Sequence, residues 1–244
     1  MSALPRHCDL LVAGSGAGGL ATAVTAAALG LDVVVVERAA RFGGTTAWSG
    51  GWLWIPRNPL ALAAGIAEPP EAPRRYLRAV LGVDELGPAL EAFLDQGPAM
   101  LRFMQRRAGL QFVDGNTIPD FQGQADGARE GGRSVCAAPF DGRRLGAALA
   151  RLEPPRDILS FLGMGVAGGA DLRHFLRAPR HADSMAYVLR RLARQAWDQV
   201  RHGRGTVRLG GNALAGALLH AALRQGVRLF EGHGLLALQR QGAR

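Results

Sequence analysis

The 244-residue chain contains no lysine, so all 29 of its Lys and Arg residues are arginine. That absence excludes a P-loop, whose lysine reaches the nucleotide phosphates. It also changes what the net charge of +9 means. A basic excess points to nucleic acid or an anionic membrane when it is concentrated in a patch. Here the arginines are spread from Arg6 to Arg244 among Ala, Gly and Leu. With no binding motif and no interleaved aromatics, a compositional bias explains the charge, and no nucleic-acid partner is expected. Cysteine is nearly missing as well: Cys8 and Cys136 form neither a C-x-x-C pair nor a disulfide framework. The N-terminus has no charged region followed by an apolar segment and a cleavage site, so a cytoplasmic location is expected. The apolar run from Leu10 to Val36 is broken by Gly14, Gly16, Gly18, Gly19, Gly30 and Asp32, which argues against an integral membrane segment. The histidines (His7, His174, His181, His202, His220 and His233) form no H-E-x-x-H or similar set, so no metal is expected. No G-x-S-x-G elbow occurs either.

Hydrophobic periodicity organises what is present. Asp9–Ala13 reads as a short buried strand and Ala17–Leu29 as an Ala-rich helix stopped by Gly30. Leu31–Val36 is a β-branched second strand ending at Glu37. A loop dense in glycine and tryptophan, Gly43–Pro59, follows. Helices are predicted at Pro73–Leu81, Pro88–Arg107, Asp171–Leu176 and Ser184–Arg201. In the last, Met185, Leu189, Leu192, Ala196 and Val200 repeat at helical spacing, with Arg190, Arg191, Arg194 and Arg201 opposite; Asp183 or Ser184 would cap it and Gly203 end it. Past Gly205 a helix is predicted over Asn212–Arg224 with Asn212 as its N-cap, then a strand over Val227–Phe230 and the start of another at Leu235–Gln239. The expected fold is α/β: a Rossmann-like domain with a parallel sheet, formed by residues 1–59 and 204–244 and interrupted by a largely helical cap or substrate-side insertion at 60–203.

The chemistry sits in Gly14-Ser15-Gly16-Ala17-Gly18-Gly19, a G-x-G-x-x-G pattern between the first strand and the helix. The first glycine permits the tight turn, the second lets backbone approach a pyrophosphate, and the third allows close helix–strand packing. The phosphates then lie at the helix N-terminus, where unpaired N–H groups and the positive dipole end favour an anion. Glu37, with Arg38 beside it, stands where a carboxylate can accept the hydroxyls of an adenosine ribose. The motif alone is weak: Gly163, Gly165 and Gly168 also match it. That second match precedes Arg173, Arg177, Pro179 and Arg180 where a buried strand is needed, and it reads as a loop.

The fuller pattern, G-x-G-x-x-G-x-x-x-A followed by a glycine and a valine-rich strand ending in Glu37, resembles the N-terminal fingerprint of FAD-dependent oxidoreductases. Gly43-Gly44-Thr45-Thr46-Ala47-Trp48-Ser49-Gly50-Gly51 resembles the second FAD-contacting segment of the fumarate reductase/succinate dehydrogenase flavoprotein family. Paired glycines admit close backbone approach there, and Thr45, Thr46 and Ser49 offer hydroxyls to phosphate or ribityl oxygens. Within that family, Gly50–Asn58 and the strings Tyr76–Gly82, Pro139–Gly146 and Gly211–Leu214 are most similar to the 3-ketosteroid dehydrogenase-like branch.

The resemblance implies FAD as cofactor and hydride transfer between flavin N5 and a carbon adjacent to a carbonyl or carboxylate. It also implies a small-molecule substrate, steroid-like or a dicarboxylate. Members of the family are considerably longer. This chain is therefore expected to represent their N-terminal part, with the C-terminal half of the fold absent and the catalytic acid or base beyond Arg244. Ketosteroid dehydrogenases rely on tyrosines, whereas Ile118-Pro119-Asp120-Phe121 carries Phe where a pocket Tyr is expected, and Tyr76 and Tyr187 are the chain's two tyrosines. Trp48, Trp52 and Trp54 serve either a cavity wall or packing. The competing readings are a truncated FAD-binding fragment without activity of its own, an NAD-dependent Rossmann dehydrogenase, and a basic binding module.

Overall fold

The computed structural model of the chain describes residues 4–156, 160–161, 164–165, 170–202 and 205–240. In chain order its elements are β1 (Leu10–Ala13), α1 (Ala17–Ala28), β2 (Val33–Glu37), β3 (Trp52–Trp54), α2 (Pro59–Ala63), α3 (Glu71–Leu81), α4 (Pro88–Phe103), β4 (Phe112–Gly115), β5 (Ser134–Ala137), β6 (Phe140–Asp141), β7 (Ser160–Phe161), β8 (Met164–Gly165), α5 (Ala170–Arg177), α6 (Ala182–His202), β9 (Val207–Arg208), α7 (Gly210–Arg224) and β10 (Arg228–Glu231). Short 3-10 turns occupy Gly44–Trp48 and Gly142–Arg151, and a π turn, Met104–Ala108, prolongs α4. The chain divides into two compact units, residues 1–51 with 139–244, and residues 52–138. These boundaries differ from those expected at 59/60 and 203/204, because β6, α5 and α6 group with the parallel sheet.

The first unit is built on a parallel sheet of order β1-β2-β10. Leu10 pairs with Val33 and Val12 with Val35, while Phe230 pairs with Val36 on the other side. β2 is central, and its four valines are all buried. β1 is an edge strand, so Leu11 stays 44% exposed where the sequence suggested full burial. Val34, Val36 and Phe230 form a cluster on one sheet face, with Cys8 packed against it. On the other face Leu20, Ala23 and Val24 of α1 are fully buried, and α1 packs along α7. α7 is apolar nearly all round, with buried residues from Gly211 to Ala222, as suits a helix enclosed by other elements.

Three sequence expectations are corrected in this unit. Leu235–Gln239 forms no strand, and Leu236 and Leu238 are exposed. Helix α7 starts at Gly210 with Leu209 at its N-cap, so Asn212 lies inside the helix and is buried. Asp183 and Ser184 likewise fall inside the first turn of α6; Gly203, expected to end it, lies outside the described residues. The apolar stripe of α6 also faces the wrong way for a core helix: Leu189 is 57% and Val200 is 87% exposed. Its buried face instead carries Ser184, Val188, Gln195 and Asp198. Polar pairing accounts for this. Asp198 accepts bonds from the Thr206 N–H (3.0 Å) and hydroxyl (2.6 Å). Arg191, expected on the solvent side, turns inward to Asp171 at 2.6 Å. Hydrogen bonds of this kind orient a helix as effectively as apolar burial, and periodicity does not register them.

The second unit places α2, α3 and α4 with an antiparallel sheet of order β3-β5-β4. The strands at 112–115 and 134–137 depart from the largely helical insertion that the sequence predicts, since each is only four residues long and too short to register as a period. Ile55, Leu101 and Val135 make the apolar centre. Pro98 lies inside α4. Proline lacks the N–H that would bond the carbonyl four residues earlier. The Arg57 guanidinium takes over that carbonyl, donating to Leu94 O at 3.1 Å.

The same unit buries an ion network. Arg133, 1% exposed, donates to both oxygens of Glu68 and to Asp120 at 2.7 Å. Its guanidinium also lies over the rings of Trp54 and Tyr76, and Trp54 Nε1 donates to Asp120 at 2.7 Å. Removing one member of such a cluster strands the opposite charges away from water. Arg133→Met is therefore expected to cost about 3–5 kcal/mol, and Arg57→Ala about 1–2 kcal/mol for the freed carbonyl. Both are read from urea unfolding midpoints, and a smaller loss for Arg133→Met than for Arg57→Ala would contradict this account.

Candidate functional site

β1 ends at Ala13, and the Gly14 N–H donates to Val36 O at 2.8 Å, so the glycine-rich turn leaves from the strand tip. Helix α1 begins at Ala17 with Gly16 at its N-cap. That cap makes no side-chain hydrogen bond, and the first turn holds no acidic residue. No carboxylate therefore neutralises the positive end of the helix, which favours an anion. A Cβ on Gly19 would collide with the Gly14 carbonyl oxygen and crowd Val12. Only glycine lets α1 lie this close to the strand it follows.

Glu37 closes β2 at the same end of the sheet. Its Oε2 accepts the Ser15 hydroxyl at 2.6 Å and the Ser15 N–H at 2.9 Å, and its Oε1 accepts the Ala39 N–H at 2.9 Å. Burial pushes the Glu37 carboxyl up. The Ser15 hydroxyl and the N–H groups of Ala39, Ser15 and Arg38 outweigh it and hold the group below its ordinary value. Arg38 itself is exposed.

The second glycine loop joins the first through two hydroxyls. Gly43 N–H donates to the Ser15 hydroxyl at 3.0 Å, and Ala17 N–H donates to the Thr46 hydroxyl at 2.9 Å. Thr46 thus uses an oxygen lone pair internally and keeps its own proton for an incoming acceptor. The Ser49 hydroxyl donates to Thr46 O at 2.9 Å, so its proton is spent within the loop. Thr45 is exposed. Gly44 is partly buried, while Ser49, Gly50 and Gly51 turn against the start of α7. There a Cβ on Gly211 would collide with Thr46 O and the Ser49 hydroxyl. Gly14, Ser15, Gly16, Ala17, Gly18 and Gly19 therefore meet Glu37, Gly43 and Thr46 at one end of the sheet.

Asn212 is a site-supporting residue that sequence reasoning misplaced as a helix cap. Its Nδ2 donates to Ala47 O at 3.3 Å and to Glu153 O at 2.7 Å, pinning the second loop from behind. The pair Gly211-Asn212 was legible as a motif, but its partner lies 165 positions away in sequence. The tryptophans have different roles. Trp48 lies under the Arg156 guanidinium, 4.6 Å from ring to cation. Trp54 stacks on Phe93 and belongs to the second unit's interior, while Trp52 is 41% exposed. Of the second glycine match, Gly163 and Gly168 lie outside the described residues. Among the described residues no cluster of His, Cys, Asp or Glu is arranged to hold a metal ion, and no helix is long and apolar enough to cross a membrane.

A glycine-rich turn opening a helix, a parallel partner strand and a carboxylate at its tip define a dinucleotide-binding domain of the Rossmann class. The chain belongs to the FAD binding domain family, whose model matches residues 9–244, and its cofactor is FAD. It is 36% identical over 233 residues to 4-oxocyclohex-2-ene-1-carboxylate 5-dehydrogenase of Sinomonas cyclohexanicum, covering 96% of this chain and 39% of that protein. It is 42% identical over 149 residues to 3-oxosteroid 1-dehydrogenase of Mycobacterium tuberculosis, covering 61% of this chain and 26% of that protein. The crystal structure of 3-ketosteroid Δ1-dehydrogenase from Sterolibacterium denitrificans superposes with a TM-score of 0.84 at 31% identity, over 97% of this chain and 42% of that one. The chain thus spans well under half the length of these relatives. The likeness to the ketosteroid dehydrogenase-like branch holds, and with it the Rossmann-like fold.

Two outcomes test this geometry. Gly19→Ala is expected to separate α1 from the Gly14 turn, costing about 3 kcal/mol of stability and most FAD affinity; unchanged thermal unfolding would contradict the close approach. The second concerns acid. Arg143 holds Asp141 below its ordinary value, and Arg151 does the same for Glu231, as the Ser15 network does for Glu37. A carboxyl with a depressed folded value contributes stability above its unfolded value, and that contribution is lost as pH falls through the folded one. Thermal midpoints should therefore fall as pH drops below the ordinary value of 4.5 for the two glutamates. Glu37→Gln should flatten part of that fall, and an identical acid limb in the variant would count against the Glu37 contribution.

Proposed function

We propose that the chain is the FAD-cradling part of a dehydrogenase that removes hydrogen from neighbouring ring carbons beside a ketone. The residues fit the cofactor. The Gly16 N-cap carries no side chain and a Cβ on Gly18 would meet no neighbour, so the start of α1 is approachable beside Thr46, which holds the Ala17 N–H. Through N–H groups of the Gly14–Gly19 turn other than those of Gly14, Ser15 and Ala17, which are bonded within the protein, and with the proton of Thr46, this end would hold the pyrophosphate. Glu37 would accept the adenosine ribose. Thr45, Gly44, Gly50 and Gly51 would supply the approach of the second loop, with Ser49 shaping it and Arg38 at the rim. When bound, FAD supplies a hydride acceptor at N5.

The observation that carries the reading is the junction of the two glycine loops through Ser15 and Thr46, which builds one cradle from both fingerprints. The substrate class follows from the relatives. A 4-oxocyclohexene carboxylate dehydrogenated at position 5 and a 3-oxosteroid dehydrogenated at position 1 are both cyclic ketones losing hydrogen near the carbonyl. The shared chemistry is loss of a proton acidified by the ketone and of a hydride from the adjacent carbon. The acid or base is not assigned to this chain. Phe121 offers no phenol, Tyr76 accepts from the Gln122 N–H, and the Tyr187 hydroxyl donates to Asp171. A substrate-side role for the second unit, with bounds 52–138 in place of 60–203, and a cytoplasmic setting belong to the proposal.

The purified chain should retain or rebind FAD, read as flavin absorbance and fluorescence quenching, and should not bind NAD comparably. Extended by the remainder found in its relatives, it should reduce a dye with a cyclic enone carboxylate or a 3-oxosteroid as donor. Binding of NAD in preference to FAD would overturn the proposal. Dye reduction by neither ketone would overturn the substrate class alone.

A further inference from the structure

We propose that Ser15 is a positioning residue for the adenosine half of the cofactor: its hydroxyl orients the Glu37 carboxylate and ties that carboxylate to the turn at Gly43. The inference rests on the reading of Glu37 as the ribose acceptor. Ser15 is fully buried, so no water can replace its hydroxyl. The Oγ donates to Glu37 Oε2 at 2.6 Å and accepts from the Gly43 N–H at 3.0 Å. One rotor therefore joins the first glycine loop, the tip of β2 and the second glycine loop.

Counting acceptor sites shows what this does to recognition. A carboxylate oxygen has two lone pairs. At Oε2 both are taken, by the Ser15 N–H and the Ser15 hydroxyl. At Oε1 the Ala39 N–H takes one. Oε1, which Ser15 does not engage, is the oxygen offered to a ribose hydroxyl, in an orientation set by Ser15, with the Arg38 N–H also acting on the carboxylate. Without the Ser15 hydroxyl, Oε2 keeps a single fixed donor, the carboxylate is free to turn towards solvent, and the Gly43 N–H loses its acceptor. The short bond is charge-assisted, the stronger kind of hydrogen bond. Neither the glycine pattern nor the terminal carboxylate identifies Ser15, because the position between the first two glycines is unspecified in G-x-G-x-x-G.

The test is a double-mutant cycle on the full 244-residue chain, with FAD and FMN as probes and flavin fluorescence as the readout. Ser15→Ala should weaken FAD about tenfold, the scale of one charge-assisted hydrogen bond. FMN, which has no adenosine and meets only the Gly43 side of the network, should be weakened clearly less. In a Glu37→Gln background the Ser15→Ala effect should largely disappear. Equal weakening of FAD in both backgrounds, or equal weakening of FMN and FAD, would make Ser15 a structural residue only and overturn the proposal. If Glu37→Gln alone leaves FAD affinity unchanged, the ribose reading of Glu37 fails, a result separate from any Ser15 effect. Ser15→Cys, a near-isosteric weak donor, serves if the alanine variant does not fold, and the same losses are expected of it.

Discussion

The hydroxyl of Ser15 is the point on which the cofactor end of the first unit depends. It donates to Glu37 and accepts from the Gly43 N–H, so the first turn, the tip of β2 and the second loop share one buried oxygen. The backbone around it is permitted by close contacts that exclude a Cβ, with Gly19 against the Gly14 carbonyl and Gly211 against the second loop. The parallel pairing of β1 with β2 brings Gly14 and Glu37 to the same sheet end. The backbone at the start of α1 is thus arranged by the protein itself, and such preorganisation lowers the ordering cost of binding.

The second unit meets a different demand. It has a small apolar centre at Ile55, Leu101 and Val135, and it buries charge beside it. Arg133 answers two carboxylates and two aromatic faces at once, leaving the cluster paired though dry. Such a network contributes less to net stability than to a unique arrangement, because the desolvation of its charges offsets much of their attraction. It holds Asp120 between Arg133, the Trp54 indole and the Arg129 N–H, which fixes the backbone just before the fully exposed Phe121.

α6 shows why pattern and burial can part company. Its spacing of Met185, Leu189, Ala196 and Val200 is that of a core helix, yet its inward face is chosen by Asp198 with Thr206, Arg191 with Asp171, and Ser184 with His174. Each of those bonds would leave a buried polar group unpaired if the helix turned, at a cost comparable to burying an apolar side chain. Asn212 tells the same story, as a cap by its position in sequence and a buried crosslink by its contacts.

The residues alone determined the strand–helix–strand core, the glycine turn at Gly14–Gly19, the carboxylate at Glu37 and the second loop at Gly43–Gly51. These are written in local periodicity and in glycines whose purpose is steric, so neighbours in sequence suffice to read them. Tertiary structure alone decided that Ser15 connects both loops, that Asn212 and Gly211 support them, and that short strands at 112–115 and 134–137 join Trp52–Trp54 in a sheet. It also decided the direction of α6. The physical reason is common to all four: a hydrogen bond or a backbone crossing between distant residues leaves no repeating trace along the chain, and it takes effect only once the two partners are brought to contact distance.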